Sequence, residues 1–214
     1  MMKKAHLWIF LMLVVAIPVL IYLVYAQYQK LYADLPIYGP MESVEQQERY
    51  HAIPAFELLG ESEQPVIWEE EDAEIVVANF FFTYCPTICP KMTSQINRVA
   101  GQMSNDESIH FYSFTVDPVR DTPAKLKAFA DKFGIDEDQW TLVTGDKKII
   151  YKLARNGFFL TATDGDGGPN DFIHSEKVVL LDEKRRIRGY YDGTDPKEMD
   201  RLIFDIKKLK NQQT

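Results

Sequence analysis

Cysteine is scarce in this sequence: there are two in 214 residues, Cys85 and Cys89. That number excludes a small fold held together by several disulfide bonds, and it excludes a zinc site of four thiolates within one chain. Basic residues are also in the minority, with 24 Lys and Arg against 32 Asp and Glu. With a net charge of −8, the chain is not expected to bind nucleic acid. The hydrophobic fraction of 46% excludes wholesale disorder, and the length allows one domain or at most two small ones.

Charged residues are absent from a long stretch near the N-terminus, between Lys4 and Lys30. Its apolar part, residues 7–26, is long enough as a helix to cross the roughly 30 Å of bilayer hydrocarbon. Residues 1–6 contain two lysines, so the positive-inside rule keeps this tip in the cytoplasm. The sequence therefore predicts one membrane anchor with the body outside the cytoplasm, facing the periplasm of a bacterium or an equivalent compartment.

A cleaved signal peptide is the alternative interpretation of the same segment. Residues 24–26 (Val-Tyr-Ala) resemble a weak cleavage site. However, the apolar core of a signal peptide has about 7–15 residues, and this run is longer. An uncleaved transmembrane helix is therefore the preferred interpretation.

The rest of the chain divides into a tether and a body. Residues 27–50 are polar and contain Pro36, Gly39 and Pro40, which predicts a juxtamembrane tether. In the body, residues 51–214, the apolar run 74–82 has the composition of a strand buried on both faces, which implies a parallel sheet under helices. Further segments follow in alternation: strands at 109–116, 140–144, 178–181 and 187–191, and helices at 90–103, 123–133, 147–156 and 196–209. This order predicts an α/β fold with a mostly parallel central sheet flanked by helices and an extra N-terminal hairpin over residues 55–68.

The two cysteines lie in the segment TYCPTICP, between the strand at 74–82 and the next helix. Proline follows each cysteine and disfavours helical geometry there, so the helix is expected to begin at Pro90 with Cys89 at or near its N-cap. The helix N-terminus and Lys91 predict a lowered pKa for at least Cys89.

Two thiols at this spacing are able to form a disulfide or to bind a metal. A disulfide needs Cβ atoms about 3.5–4.5 Å apart, whereas regular i,i+4 helical spacing gives about 5–6 Å. A proline-containing loop closes that gap, and a metal needs less closure because each metal–sulfur bond is about 2.3 Å long. Two inert buried cysteines, or one permanent structural disulfide, are the simpler alternatives.

The segments TYCPTICPKM, TVDPVRDTP, DFIHSEKVVLLD and RGYYDG occur in this order behind an N-terminal apolar segment. Together they resemble the Sco/SenC family, over roughly residue 56 to the C-terminus. The resemblance implies a thioredoxin-like fold and a membrane-anchored copper protein that assists assembly of cytochrome c oxidase. One departure is Thr87, since many members have Asp after the first Cys-Pro, and its absence removes a charge near the site.

The resemblance also implies a set of copper ligands: Cys85, Cys89 and His174. Two thiolates suit Cu(I), and an imidazole also accommodates Cu(II). Taken alone, a histidine near a strand is usually an ordinary polar residue. Of the three other histidines, His110 alternates within a predicted strand and is more typical of a structural residue, and the remaining two, His6 and His51, border the anchor and the tether.

The motif DPVRDTP, residues 117–123, is mostly explained by a turn and by helix capping through Asp121 or Thr122. Asp117 is less easily explained in this way, and it is a candidate for the hydrogen-bonding shell around the metal ligands. Met92, three residues after Cys89, is more typical of a core residue than of a fourth ligand.

Two functions are compatible with these residues. The first is a copper chaperone that passes its metal to the copper-containing subunit of cytochrome c oxidase, with other copper chaperones or thiol reductants as further partners. The second is a thiol–disulfide oxidoreductase in which Cys85 and Cys89 are a redox-active pair acting on the oxidase or on other exported proteins. Enzymatic activity is expected only in the second case, and the CxxxC spacing argues against a generic thioredoxin.

Overall fold

The computed structural model describes residues 4–44, 47–68, 73–160 and 175–213. They form two compact units, one ending at Asp34 and the other beginning at Leu35. The first unit contains helix α1, Lys4–Tyr32, which continues past the expected end at residue 26 because no proline or glycine follows before Pro36. Its stretch Trp8–Tyr28 has the length and apolarity to span a membrane, and none of it is buried.

The second unit contains two sheets and four helices within the described residues. Its strands are β1 Met41–Val44, β2 Gln47–Tyr50, β3 Glu57–Gly60, β4 Pro65–Ile67, β5 Ile75–Phe81, β6 Ile109–Thr115, β7 Trp140–Thr144, β8 Lys177–Leu181 and β9 Ile187–Asp192. Its helices are α2 Ile88–Met103, α3 Pro123–Phe133, α4 Lys147–Lys152 with a π-helical turn at Leu153–Gly157, and α5 Pro196–Gln213. Strands β1 and β2 form a separate hairpin, and the other seven form one sheet in the order β4-β3-β7-β6-β5-β8-β9.

The predicted α/β class is confirmed, but the sheet is mixed, with a parallel centre of three strands. Strands β5, β6 and β7 are parallel, and the pairings on either side of them are antiparallel. Parallel neighbours require a crossover, which α2 and α3 supply, whereas the β3–β4 and β8–β9 hairpins place antiparallel strands at the edges. The predicted N-terminal hairpin is the β3–β4 pair.

Helices cover both faces of the sheet. All seven residues of β5 are buried, as expected for the apolar run. Helices α2, α3 and α5 pack on the face that includes Ile75 and Val77, and the α4 region packs on the face that includes Val76 and Ala78. The carboxyl end of β5, which leads into the cysteine loop, is therefore held between two packed layers.

The segment expected to be a tether differs from the prediction from residue 35 onward. Leu35 is buried, and its carbonyl oxygen accepts a hydrogen bond from Arg188 at 2.5 Å. The carbonyl oxygen of Pro36 accepts a second one at 3.2 Å, and the backbone N–H of Tyr38 donates to Ile187 at 2.9 Å. The sequence did not predict that this segment is folded, because the hydrogen bonds that hold it are made by its backbone groups and leave no side-chain pattern.

Candidate metal centre

The cysteine loop connects the end of β5 to the start of α2. Helix α2 begins at Ile88, two residues before the predicted start, with Thr87 as its N-cap. Cys89 is therefore helical, and the prediction that Pro90 would keep it out of the helix is wrong. Proline is tolerated in a first helical turn because its missing N–H would have no partner within the helix.

Two contacts fix where α2 lies on the sheet. Met92, one turn after Cys89, is fully buried, and its sulfur lies 4.0 Å from the side-chain nitrogen of Asn79 on β5. Gly193 follows β9, and a Cβ atom there would be 2.6 Å from Met92 Cγ. The helix is therefore packed directly onto the backbone at Gly193, and Met92 belongs to the core as expected.

The two thiols lie against each other at the start of α2. The backbone N–H of Cys89 donates a hydrogen bond to Cys85 Sγ at 3.3 Å. Cys89 is 5% exposed, whereas Cys85 is half-buried, and neither is in a disulfide. The pair thus consists of one accessible thiol and one enclosed thiol.

The electrostatic environments of the two thiols are opposite. Burial acts to raise the pKa of Cys85, but hydrogen bonds from the backbone N–H groups of Cys89, Thr87 and Ile88 outweigh it, so its pKa is lowered. Burial raises the pKa of Cys89 to about 12, and the nearby Cys85 and the charge of Asp121 add to the rise. The prediction of a lowered pKa at Cys89 is therefore wrong, because the free N–H groups of the first helical turn point to Cys85 Sγ instead.

A cavity of about 520 Å³ opens beside the thiols. Its wall includes Cys85, Cys89 and Ser175, with apolar side chains such as Val116 and Leu160 around them. Ser175 is bonded directly to His174, which itself lies outside the described residues. The proximity of His174 to the thiols therefore stays a prediction, and it is supported by the position of its neighbour in the chain.

The other candidate residues lie away from this cavity or have structural partners. The carboxylate of Asp117 forms an ion pair with Arg120 at 3.1 Å, and Asp117 is not among the residues of the cavity wall. His110 Nε2 lies 2.9 Å from the hydroxyl of Thr141, and His51 Nε2 lies 2.8 Å from a backbone carbonyl oxygen. Over the described residues, no group of three His, Cys, Asp or Glu side chains is arranged to hold a metal ion.

The residue that sequence reasoning missed is Asp121. Capping of α3 was expected from Asp121 or Thr122, and Thr122 is the N-cap, although its side chain makes no capping hydrogen bond. Asp121 is instead fully buried, and its carboxylate accepts hydrogen bonds from Thr83 in the cysteine loop. The only signal in the sequence was an acidic residue beside Thr122, which precedes Pro123 and was an equally good candidate for the N-cap.

Comparison with known proteins decides the family. A family model described as SCO1/SenC matches residues 44–211. The chain belongs to the SCO1/SenC family. The match includes both cysteines, His174 and Asp121, so the site described above lies inside the region that defines this Sco/SenC protein.

Individual relatives agree with this assignment. A putative copper-binding protein from Stutzerimonas stutzeri is 30% identical over 146 residues, which are 66% of this chain and 70% of that protein. A solved structure of a SCO1/SenC family lipoprotein from Bacillus anthracis str. Ames has a TM-score of 0.66 and 28% identity, covering 75% of this chain and 95% of the other. BsSco, described with a disulfide switch and as a member of the Sco family of cytochrome c oxidase assembly proteins, has a TM-score of 0.64 and 26% identity, covering 75% and 94%. The predicted resemblance and the thioredoxin-like class are both confirmed.

Proposed function

We propose that this Sco/SenC protein is a membrane-anchored copper chaperone that binds copper through Cys85, Cys89 and His174. Its cargo would be destined for the copper-containing subunit of cytochrome c oxidase. The observation that carries the proposal is that two cysteines joined by a backbone-to-sulfur hydrogen bond share one cavity wall with Ser175, the residue next to His174. This combination offers two soft ligands and, one peptide bond from the cavity, an imidazole.

The thiol geometry suits a metal that prefers sulfur. Two sulfur atoms that bind one metal ion, each at about 2.3 Å, lie no more than about 4.6 Å apart. Cys85 Sγ is already 3.3 Å from the Cys89 backbone nitrogen, and both cysteines line one cavity, so the two thiols need little movement to bind one ion. Thiolates favour Cu(I), and an added imidazole extends the site to Cu(II).

The surroundings of the thiols suit a carrier that must both hold and release its cargo. Apolar side chains, including Phe81 and Val116, form the inner wall and limit the access of water. On the outer side, Tyr84 and Ile88 are 55% and 40% exposed, and they flank the cysteine loop. A partner protein would therefore reach Cys85 first and the buried Cys89 second.

The names of two relatives support the assignment of cargo and destination. The Stutzerimonas stutzeri relative is named as a putative copper-binding protein, and BsSco is described among assembly proteins of cytochrome c oxidase. Both relatives cover about two thirds or more of this chain, including the region of the thiols. Copper delivery to the oxidase would combine copper binding and oxidase assembly at one site.

Removing either sulfur ligand is the direct test. In the reduced wild-type protein we expect one copper ion per chain, and in Cys85→Ala or Cys89→Ala we expect most of this binding to be lost, because one thiolate and one imidazole make a poor site for a soft metal. Copper would be measured by metal analysis after gel filtration, with Ser104→Ala, an exposed serine at the end of α2, as the control. Unchanged stoichiometry and affinity in Cys85→Ala would exclude copper binding at this site.

A thiol–disulfide oxidoreductase is the second candidate, and the asymmetry of the two thiols favours it. Cys85 is the accessible thiol with the lowered pKa, as a nucleophile requires, and Cys89 is enclosed beside it. The Cys85 thiolate would attack a target disulfide and release one target thiol. Cys89 would then displace the second, which leaves the target reduced and a Cys85–Cys89 disulfide in this protein. The disulfide switch described for BsSco is consistent with such chemistry.

The membrane topology gives a separate prediction. Lys3 and Lys4 precede the apolar stretch, so the body is proposed to lie outside the cytoplasm. A reporter enzyme that works only outside the cytoplasm is expected to be active when it is fused after Asp34, the last residue of the first unit. A reporter that works only in the cytoplasm is expected to be inactive at the same position. Moving both lysines to positions just after the helix is the matched control and should lower the activity of the first reporter. Activity of the second reporter at this position would contradict the topology, and loss of the N-terminus from the membrane-extracted protein would show cleavage.

A further inference from the structure

Asp121 is a buried acid with an unusual set of partners. Its side chain is 0% exposed, and it lies just before the N-cap of α3. One carboxylate oxygen accepts a hydrogen bond from the Thr83 hydroxyl at 2.5 Å, and the other accepts from the Thr83 backbone N–H at 3.0 Å and from the Thr115 hydroxyl at 2.6 Å. Within the described part of the chain, no Lys or Arg forms an ion pair with it.

These hydrogen bonds join the cysteine loop to the centre of the sheet. Thr83 is two residues before Cys85, Thr115 ends β6, and the backbone carbonyl oxygen of Asp121 accepts a further hydrogen bond from Thr144 on β7 at 2.9 Å. The loop is thus attached at its beginning through Asp121 and at its end through α2. The position of Cys85 Sγ depends on both attachments.

Such an arrangement is costly as a purely structural device. A buried carboxylate without a cationic partner loses much of its hydration, and neutral hydrogen bonds offset that loss only in part. A packed apolar side chain would join α3 to the sheet without this cost. However, an apolar side chain would not accept hydrogen bonds from both the backbone N–H and the hydroxyl of Thr83, two residues before Cys85.

We propose that Asp121 is a positioning residue for the cysteine pair. By holding Thr83, it keeps Cys85 Sγ against the Cys89 N–H, where the two sulfurs are arranged to bind one metal ion or to bond to each other. The copper part of this inference rests on the proposed function, whereas the disulfide part rests on the thiols alone.

The disulfide equilibrium measures this positioning without copper. The protein dithiol reacts with oxidised dithiothreitol to give the Cys85–Cys89 disulfide and reduced dithiothreitol, so two electrons and two protons pass from the protein to the reagent. Loosening the loop lowers the effective concentration of one thiol at the other and therefore disfavours the intramolecular bond. We expect the equilibrium constant to fall about tenfold in Asp121→Asn and in Thr83→Val, which is about 30 mV for a two-electron couple.

Matched variants separate positioning from general stability. Thr83→Ser keeps the hydroxyl that Thr83→Val removes, so it should retain the wild-type equilibrium. Asp182→Asn changes another buried carboxylate, which is held by Arg186 and Arg188 and is not part of the cavity wall. It should lower the free energy of unfolding while leaving the dithiothreitol equilibrium unchanged.

The experiment uses the full chain in detergent, with the thiol equilibrium and Cu(I) affinity measured on the same samples. Wild-type equilibrium constants in folded Thr83→Val and Asp121→Asn would overturn the inference, and so would an equal shift in Asp182→Asn. If Asp121→Asn does not fold, the equilibrium constants of Thr83→Val and Thr83→Ser test the inference, and equal values for these two variants would overturn it. Should the wild-type protein bind no copper, the proposed function fails while the dithiothreitol arm still tests Asp121. If the wild-type protein does bind copper, the affinity of the protein for Cu(I) is expected to fall in Thr83→Val and Asp121→Asn.

Discussion

His174→Ala is expected to weaken Cu(II) binding by more than about 100-fold, because even outer-shell partners of metal ligands account for losses of about 10–100-fold. Its imidazole is the nitrogen ligand of the proposed site, and Cu(II) favours nitrogen more than Cu(I) does. Cu(I) binding should fall less, since Cys85 and Cys89 remain. The measurement is a Cu(II) titration followed by visible absorption, in which a sulfur-to-copper charge-transfer band should be lost or shifted.

Two controls make the result specific to this histidine. His110→Ala removes an imidazole that lies beside Thr141 and outside the thiol cavity, so it should bind Cu(II) as the wild type does. In cells, oxidase activity should fall in His174→Ala and should recover in part with added copper. A variant with wild-type copper spectra and an altered thiol reduction potential would instead show that His174 tunes the thiols, and the oxidoreductase would become the better assignment.

The parts of the fold that follow from the sequence are those set by apolar patterning. The run at 74–82 contains β5, and the β3–β4 and β8–β9 hairpins and the positions of α3 and α5 were likewise predicted, because burial on one or both faces leaves a periodic signal. The antiparallel pairing of β3 with β7 and of β5 with β8 was not predicted, since a single sequence does not show which strands become neighbours. Residues 35–50 were taken as a tether for a related reason: carbonyl groups that bind Arg188 carry no side-chain pattern.

At the candidate metal centre, the residue types in the motif predicted the position of the thiols better than local conformational preferences predicted the start of α2. The motif located Cys85 and Cys89 at a strand–helix junction, and the structure confirms that position. The preference of residues before proline then gave the wrong helix start, and with it the wrong thiol for the lowered pKa. Asp121 was missed because its partner Thr83 is 38 residues away in the chain, and only the pairing of β5 with β6 brings the segments that follow them together.

The thiol asymmetry leads to the second large effect: in the reduced protein, alkylation of Cys85 should be at least about 30-fold faster than that of Cys89 at pH 8. With a pKa of about 12, only about one Cys89 side chain in 10⁴ is a thiolate at that pH. The lower pKa of Cys85 gives it a far larger thiolate fraction, and its somewhat weaker nucleophilicity offsets only part of that advantage. Burial of Cys89 increases the difference further.

The dependence on pH gives this prediction its sign. Because the thiolate is the reactive form, the rate at Cys85 should rise with pH and level off above its lowered pKa, below the ordinary value of 9.0. The rate at Cys89 should still be rising at pH 10, since its pKa is about 12. Iodoacetamide labelling, with the modified cysteine located by peptide fragmentation, measures both rates, and bound Cu(I) should suppress them together by occupying both sulfurs. Equal rates for the two thiols, or faster labelling of Cys89, would contradict the proposal that Cys85 is the thiol a partner meets first. In both proposed functions, the first step would take place at the accessible sulfur.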